Sequence, residues 1–280
     1  MPLMSTPRLP VAAGEFQRRL LAWFRRHGRD LPWRRTRDPY RVLVSEVMLQ
    51  QTPVARVERY YARFLEEFPT LAHLARARPV RVREEWDGLG YYRRAANLQR
   101  LARTVLAEYG GRIPEDVEAL RTLPGVGRYT AGAVASFAFE QSEPAVDTNV
   151  ARVLRRAFHP RLPKGAKGER RLWVTGASLV PAQGPEAWAF NQAIMELGAV
   201  VCTARVAKCG ECPVRAECKT GRRSRQPSTV ASTAGAYRIP PATRAINPSN
   251  PEIIQVERGG RIDVKAIYRW FRCGCKRFQR

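Results

Sequence analysis

The ten residues Thr130 to Phe139 (Thr-Ala-Gly-Ala-Val-Ala-Ser-Phe-Ala-Phe) carry no charge on any face. A helix that is apolar all round has no side to offer water, so this run is expected in the middle of a domain. Immediately before it stands Leu123-Pro124-Gly125-Val126-Gly127-Arg128-Tyr129. Pro124 cannot extend the polar helical run Glu115 to Thr122, and Gly125 and Gly127 can take backbone angles closed to other residues. Gly127 also leaves the next helix opening on bare N–H groups. The stretch therefore reads as two helices joined by a tight hairpin. Such a helix end binds phosphate, or the joint is an ordinary helix–turn–helix without a ligand.

The rest of the chain supplies helices to surround it. Residues 1–14 are Pro-rich and expected to be loose, and Phe16, Leu20, Trp23 and Phe24 then mark an amphipathic first helix. Arg29 to Arg35 reads as a turning, cation-dense segment with Trp33 exposed. Further helices are expected over Tyr40 to Gln51, Val54 to Phe68, Leu71 to Ala77 and Pro79 to Trp86. After the break at Gly88-Leu89-Gly90, Ala95, Leu98, Leu101, Ala102 and Val105 line another helix. Asp147 to Phe158, Gly168 to Val180 and Glu186 to Ala199 follow. With no alternating strand pattern before residue 220, the body is expected to be all-α, with about ten helices. Residues 220–251 are rich in Ser, Thr, Pro and Arg without a period and read as a linker; the last 60 residues are too poor in apolar content to build a core alone.

Charge narrows the partner. Lys and Arg number 49 against 25 Asp and Glu, a net charge of +24, and residues 221–280 hold 13 basic and 3 acidic residues, so both parts are basic. Nucleic acid is the leading polyanion, with ribosomal or merely solubilising charge as the alternative. No apolar run of membrane-spanning length and no signal-like start occurs, which predicts a soluble, intracellular (cytoplasmic, nucleoid-associated) protein with no membrane partner. Four of six cysteines fall in Cys202-x6-Cys209-x2-Cys212-x5-Cys218. Four thiols in so short a loop without a histidine read as metal ligands; spacing leaves iron–sulfur and zinc open, although a single Cys-x-x-Cys pair leans away from a zinc ribbon.

Two acids stand out. Glu46 lies inside Val42-Leu43-Val44-Ser45-Glu46-Val47-Met48-Leu49. It is either buried, with a raised pKa that lets it hold and donate a proton near neutrality, or a salt-bridged surface residue. Asp147, before Thr148-Asn149-Val150, has the look of a helix N-cap, which favours its ionised form. One acid protonated and one negative is the pairing that cleaves a glycosidic bond through an oxocarbenium-like transition state.

Leu31-Pro32-Trp33-Arg34, Ser45 to Thr52, Gly88-Leu89-Gly90-Tyr91-Tyr92, Leu123 to Gly132 and Phe190-Asn191-Gln192 together resemble the MutY family of adenine DNA glycosylases, from about residue 15 to 219. The hairpin resembles the wider helix-hairpin-helix glycosylase superfamily; Ser45 to Thr52 narrows it to the adenine branch. The resemblance implies two helical subdomains with a catalytic cleft between them. One is a six-helix subdomain of roughly 37–144, the other is built from the N- and C-terminal helices, and the cluster loop is 202–218. It makes Glu46 the proton donor to a flipped adenine and Asp147 the stabiliser of the sugar cation, assisted by Tyr129 and Asn149. Gln51 and Tyr91 become wedges in the duplex, where the residues alone suggest a helix-end polar residue and a core tyrosine. Arg34, Trp33 and Gln192 line the adenine pocket. Gly125, Gly127 and Arg128 grip phosphate, and Cys202, Cys209, Cys212 and Cys218 hold a 4Fe-4S cluster. Related endonuclease III enzymes carry a lysine at the position of Tyr129; without an amine the chain is expected to be a monofunctional glycosylase acting on double-stranded DNA with adenine opposite 8-oxoguanine or guanine, as a monomer.

Two departures qualify the resemblance. Thr148 stands where the family has glycine, which is expected to leave activity intact. Residues 220–280 lack the length and strand pattern of the Nudix-like domain that follows in the family, so the C-terminus is expected to be shortened or frame-shifted and discrimination for 8-oxoguanine weaker. Alternatives are a thymine or uracil mismatch glycosylase and a non-catalytic mismatch-binding protein.

Overall fold

The computed structural model describes residues 11–182 and 184–226. They form eleven helices: α1 (Val11–His27), α2 (Pro39–Leu49), α3 (Val54–Glu67), α4 (Leu71–Arg76), α5 (Pro79–Glu85), α6 (Arg93–Glu108), α7 (Val117–Thr122), α8 (Arg128–Phe139), α9 (Thr148–Phe158), α10 (Ala166–Leu179) and α11 (Gly184–Val200). No strand occurs among the described residues, so the fold is all-α as the periodicity predicts. None of the described helices is long and apolar enough to cross a membrane.

Helix starts follow capping chemistry. Asp38, Thr70, Asp116 and Asp147 cap α2, α4, α7 and α9, each accepting a backbone N–H inside its helix. Two boundaries depart from expectation. Helix α1 begins at Val11, because Ala13 is already packed in a core; residues 11–14 are helical rather than loose. Helix α2 ends at Leu49 instead of Gln51, since Gln50 turns extended and Gln51 takes a left-handed φ of 55°.

The apolar side chains gather in two cores. One is built by residues from Leu31 to Ala145, chiefly α2 to α8. The other joins α1 to α9, α10, α11 and the cysteine loop. Helix α8 is buried from Thr130 to Ala138 and packs on α2, α7 and α11, the central place its composition demands. Helix α11 is the second central helix, and its Trp188 and Met195 pack against both cores. The cores change over between Ala145 and Val146, the residue just before the Asp147 cap. The expected tail from residue 227 on, with Cys273 and Cys275, lies outside the described residues, as do residues 1–10.

Candidate active site

A cleft of about 1130 Å³ opens between the two cores. Helix α8 enters it through the hairpin. The Val126 N–H donates to the Leu123 carbonyl at 3.1 Å, and Gly125, with φ +80°, sits where a Cβ would come within 2.9 Å of the Asn97 Cβ. Gly127 differs from expectation, for its backbone is extended (φ −93°, ψ 178°) and open to any residue. Its contribution is as an N-cap without a capping side chain, and nothing crowds the helix end. Arg128 lies with its guanidinium 4.0 Å over the Trp173 ring, joining the start of α8 to α10.

Near the C-terminal end of α2 and at the very start of α8, Glu46 and Tyr129 come together. Glu46 is 3% exposed, which excludes the surface alternative. The Tyr129 hydroxyl donates to its Oε2 at 2.6 Å. Burial pushes the Glu46 carboxyl up to about 7, against the pull of that hydrogen bond and of Arg34, while the negative charge of Asp147 raises it further. Tyr129 itself is driven well above its ordinary range by burial and by both carboxylates. All three side chains line the same cleft.

Asp147 reaches the cleft as the cap of α9. Its Oδ1 accepts from the Val150 N–H at 2.6 Å and its Oδ2 from the Asn149 side chain at 2.8 Å. The helix end favours the ionised form as expected, through the Val150 and Asn149 hydrogen bonds, but burial outweighs them and raises the carboxyl above its ordinary value. The charge of Asp147 in turn raises Glu46. Close packing delivers the cap to this place. A Cβ on Gly132 would meet the Pro144 carbonyl at 2.4 Å, and buried Asn191 of α11 accepts from the Ala145 N–H while donating to Ser136 and to the Glu143 carbonyl. Thr148 is an exposed residue in the first turn of α9 with no left-handed backbone, so a branched side chain fits where a glycine was anticipated.

The opposite wall is cationic. Arg34 donates to the Gln192 Oε1 at 2.8 Å, to the Glu196 Oε2 at 2.8 Å and to the Arg29 carbonyl at 2.9 Å. Arg29 takes the other edge of Glu196, at 2.6 Å and 3.0 Å. Burial pushes Glu196 up, but the hydrogen bonds and charges of Arg29 and Arg34 together outweigh it and hold the carboxyl below its ordinary range. Trp33 is 7% exposed, not the exposed ring expected. The short 3-10 turn Pro32–Arg34 folds it inward, edge-on to Tyr61 with centroids 5.5 Å apart.

Gln51 lines the cleft just after α2, and Tyr91 stands just before α6. Both are exposed, Tyr91 by 60%, which excludes a core tyrosine; both take a left-handed φ, 55° and 51°. The four thiols Cys202, Cys209, Cys212 and Cys218 are reduced neighbours in one loop. Burial raises the Cys212 thiol, and the other three add to the shift. Among the described residues no three His, Cys, Asp or Glu side chains are drawn close enough to hold a single ion. Arg156 reaches the loop from α9, donating to the Cys202 Sγ at 3.3 Å and the Thr203 carbonyl at 2.7 Å; the Gly221 N–H donates to the Cys218 Sγ at 3.1 Å. Arg152 links this loop to the cleft, donating to the Cys202 carbonyl and to the Asn149 Oδ1, at 2.8 Å and 2.7 Å.

Sequence reasoning passed over Glu196, Arg152 and Arg94. Only Glu196 carried a signal, an acid within the apolar run Ala193-Ile194-Met195-Glu196-Leu197, the same pattern that marks Glu46.

A helical hairpin leading a buried helix to two facing acids defines a class, and residues 44–175 match the HhH-GPD superfamily of base excision DNA repair proteins, to which the chain belongs. Within it the chain is similar to adenine DNA glycosylases. It is 46% identical to the human one over 227 residues, covering 78% of this chain and 41% of the relative. It is 48% identical to the one from Mycolicibacterium smegmatis over 196 residues, covering 70% of this chain and 66% of the relative. The chain thus spans less than half of the human protein. Among solved structures, a thermostable thymine-DNA glycosylase superposes with a TM-score of 0.69 at 31% identity, over 76% of this chain and 98% of that one. An endonuclease III in a non-covalent DNA complex superposes with 0.62 at 26% identity, over 79% and 98%.

Proposed function

We propose that the chain is a monofunctional adenine DNA glycosylase that releases adenine opposite 8-oxoguanine or guanine, and that residues 15–219 form its catalytic domain. The observation that carries this is the buried Glu46, hydrogen-bonded by Tyr129 and facing Asp147 across one cleft. Double-stranded DNA binds through its phosphates at the uncapped start of α8, helped by the chain's net charge of +24. The adenine is flipped into the cleft, and Gln51 and Tyr91 fill the gap left in the stack. Tyr129 occupies Oε2 of Glu46, which leaves Oε1 to carry the proton. Glu46 passes it to a ring nitrogen of adenine and turns the base into a neutral leaving group. Asp147, as a carboxylate held in place by the Asn149 side chain and the Val150 N–H, stabilises the sugar cation, and water completes the hydrolysis. Tyr129 offers no amine, so the strand is left uncut. Trp33, Arg34 and Gln192 hold the adenine ring.

The four thiols fit a 4Fe-4S cluster. They are soft donors without a histidine, and two of them accept N–H hydrogen bonds. When bound, the cluster ties the loop; exposed Arg205 and Lys208 then meet DNA phosphate. A broad visible absorbance from thiolate–iron charge transfer is expected in the purified protein, and a colourless zinc protein contradicts it.

The higher identity to adenine glycosylases, 46% against 31% for the thymine enzyme, supports adenine over a pyrimidine. Single-turnover release from duplexes carrying adenine opposite 8-oxoguanine or guanine, and thymine or uracil opposite guanine, tests the assignment. Adenine alone is expected; release of pyrimidine without adenine overturns it, and a folded, cluster-loaded protein that releases nothing supports a mismatch-binding role instead.

A further inference from the structure

Arg94, on the first turn of α6, makes more contacts than any catalytic role requires. Its Nη1 donates to the carbonyls of Val47, Met48 and Gln50 at 2.9, 2.8 and 2.5 Å, the open end of α2. Its Nη2 donates to the Thr52 hydroxyl at 3.0 Å and to the carbonyls of Leu89 and Gly90 at 3.3 and 3.1 Å. The guanidinium lies 5.5 Å from the Trp86 ring centroid and 5.3 Å from that of Tyr91. Two of these acceptors matter most: the Gln50 and Gly90 carbonyls belong to the peptides that enter Gln51 and Tyr91. Those are two of the three non-glycine residues with positive φ among the described residues. A left-handed backbone at such side chains persists only where its surroundings impose it. One planar fork fixes both peptide planes, and the wedges stand exposed on either side of it.

We infer that Arg94 is a positioning residue that braces the Gln51 turn against the Tyr91 turn, so that both side chains enter the duplex as one rigid unit. The inference rests on the glycosylase reading for its consequence. The geometry supplies the rest, since among the described residues no other side chain is seen to hydrogen-bond both turns. An ammonium offers donors without the fixed fork, so lysine cannot hold both sets of carbonyls at once. A cavity of about 20 Å³ beside Arg94, bounded by Asn97, Pro124 and Gly125, puts the brace against the hairpin, and the buried Arg94 Nε has no hydrogen-bond partner among the described residues. One water suffices to satisfy it.

The test compares Arg94→Gln and Arg94→Lys with the wild-type chain, using two duplexes. In one, adenine is stacked opposite 8-oxoguanine; in the other it faces an abasic site and starts poorly stacked. Flipping fails first when wedges lose their aim, so adenine release from the stacked duplex is expected to fall by about ten-fold or more, with a much smaller loss on the abasic duplex. In a chain already carrying Gln51→Ala and Tyr91→Ala, Arg94→Lys is expected to add little, because neighbours acting as one unit are not additive. Fluorescence of 2-aminopurine in place of adenine reads flipping directly and is expected to rise less in both variants. Equal losses on the two duplexes, or losses that add to those of the wedge variants, overturn the inference. Should Arg94→Gln fail to fold, Arg94→Lys carries the same comparison. A wild-type chain that releases no adenine from either duplex refutes the glycosylase reading instead, and the fluorescence comparison still decides the brace.

Discussion

Glu46 and Glu196 are the same residue in nearly the same setting, and they end in opposite states. Each lies inside an apolar helical run, 3% and 1% exposed, on the wall of one cleft. Glu46 meets a neutral hydroxyl and a second acid, so burial lifts it to about 7. Glu196 meets two guanidinium groups, which hold it below the ordinary carboxylate range despite its burial. Burial thus sets the cost of charge, and the partner decides whether that cost is met. The α2–α8 side keeps a proton to give, and the α11 side keeps an anion that fixes two cations in place.

Breaking each half of this contrast has a distinct signature. Glu46→Gln removes the transferable proton; single-turnover adenine release is expected to fall by about 10²–10⁴-fold with duplex binding kept, and retained turnover refutes the donor role. Glu196→Gln leaves Arg34 buried beside a neutral amide. A loss of about 3–5 kcal/mol in denaturant unfolding is expected, with much less from Arg29→Ala, whose side chain is partly exposed. A smaller effect sharpens the comparison through pH. Glu46 binds its proton more tightly folded than unfolded, so it costs stability as pH climbs from about 4.5 to about 7. Glu196 behaves oppositely, for its stabilisation is present above the ordinary value of 4.5 and is lost as pH falls through its lowered folded value. Melting curves should show Glu46→Gln flattening the upper window and Glu196→Gln flattening the lower. The smallest change is expected at Thr148→Gly, outside both networks: about 0.3 kcal/mol of helix stability lost and activity retained. A gain in activity there would mean that the branched residue hinders the cap.

Much of this contrast could be read in the sequence on one side only. The uncharged run of α8 announced a central helix, the hairpin its entry, and Asp147 its own cap, because all three are local patterns. Glu46 was legible as an acid among apolar residues. Glu196 carried the same signature, but its meaning depends on Arg29 and Arg34, more than 160 residues away in the chain, and no periodicity reports such a pairing. The same reason hid Arg94, one of the 49 basic residues until its six acceptors are seen. The cations around Trp33 point to solvent in the sequence, whereas the turn at Pro32 directs the ring into the core.

The pH dependence of adenine release under single-turnover conditions, from a duplex with 8-oxoguanine opposite adenine, tests most directly whether a buried acid drives this reaction. A rate that is high on the acid side and falls with a midpoint near the Glu46 value of about 7 is predicted. A rate that stays level through that range, or rises with pH, contradicts it.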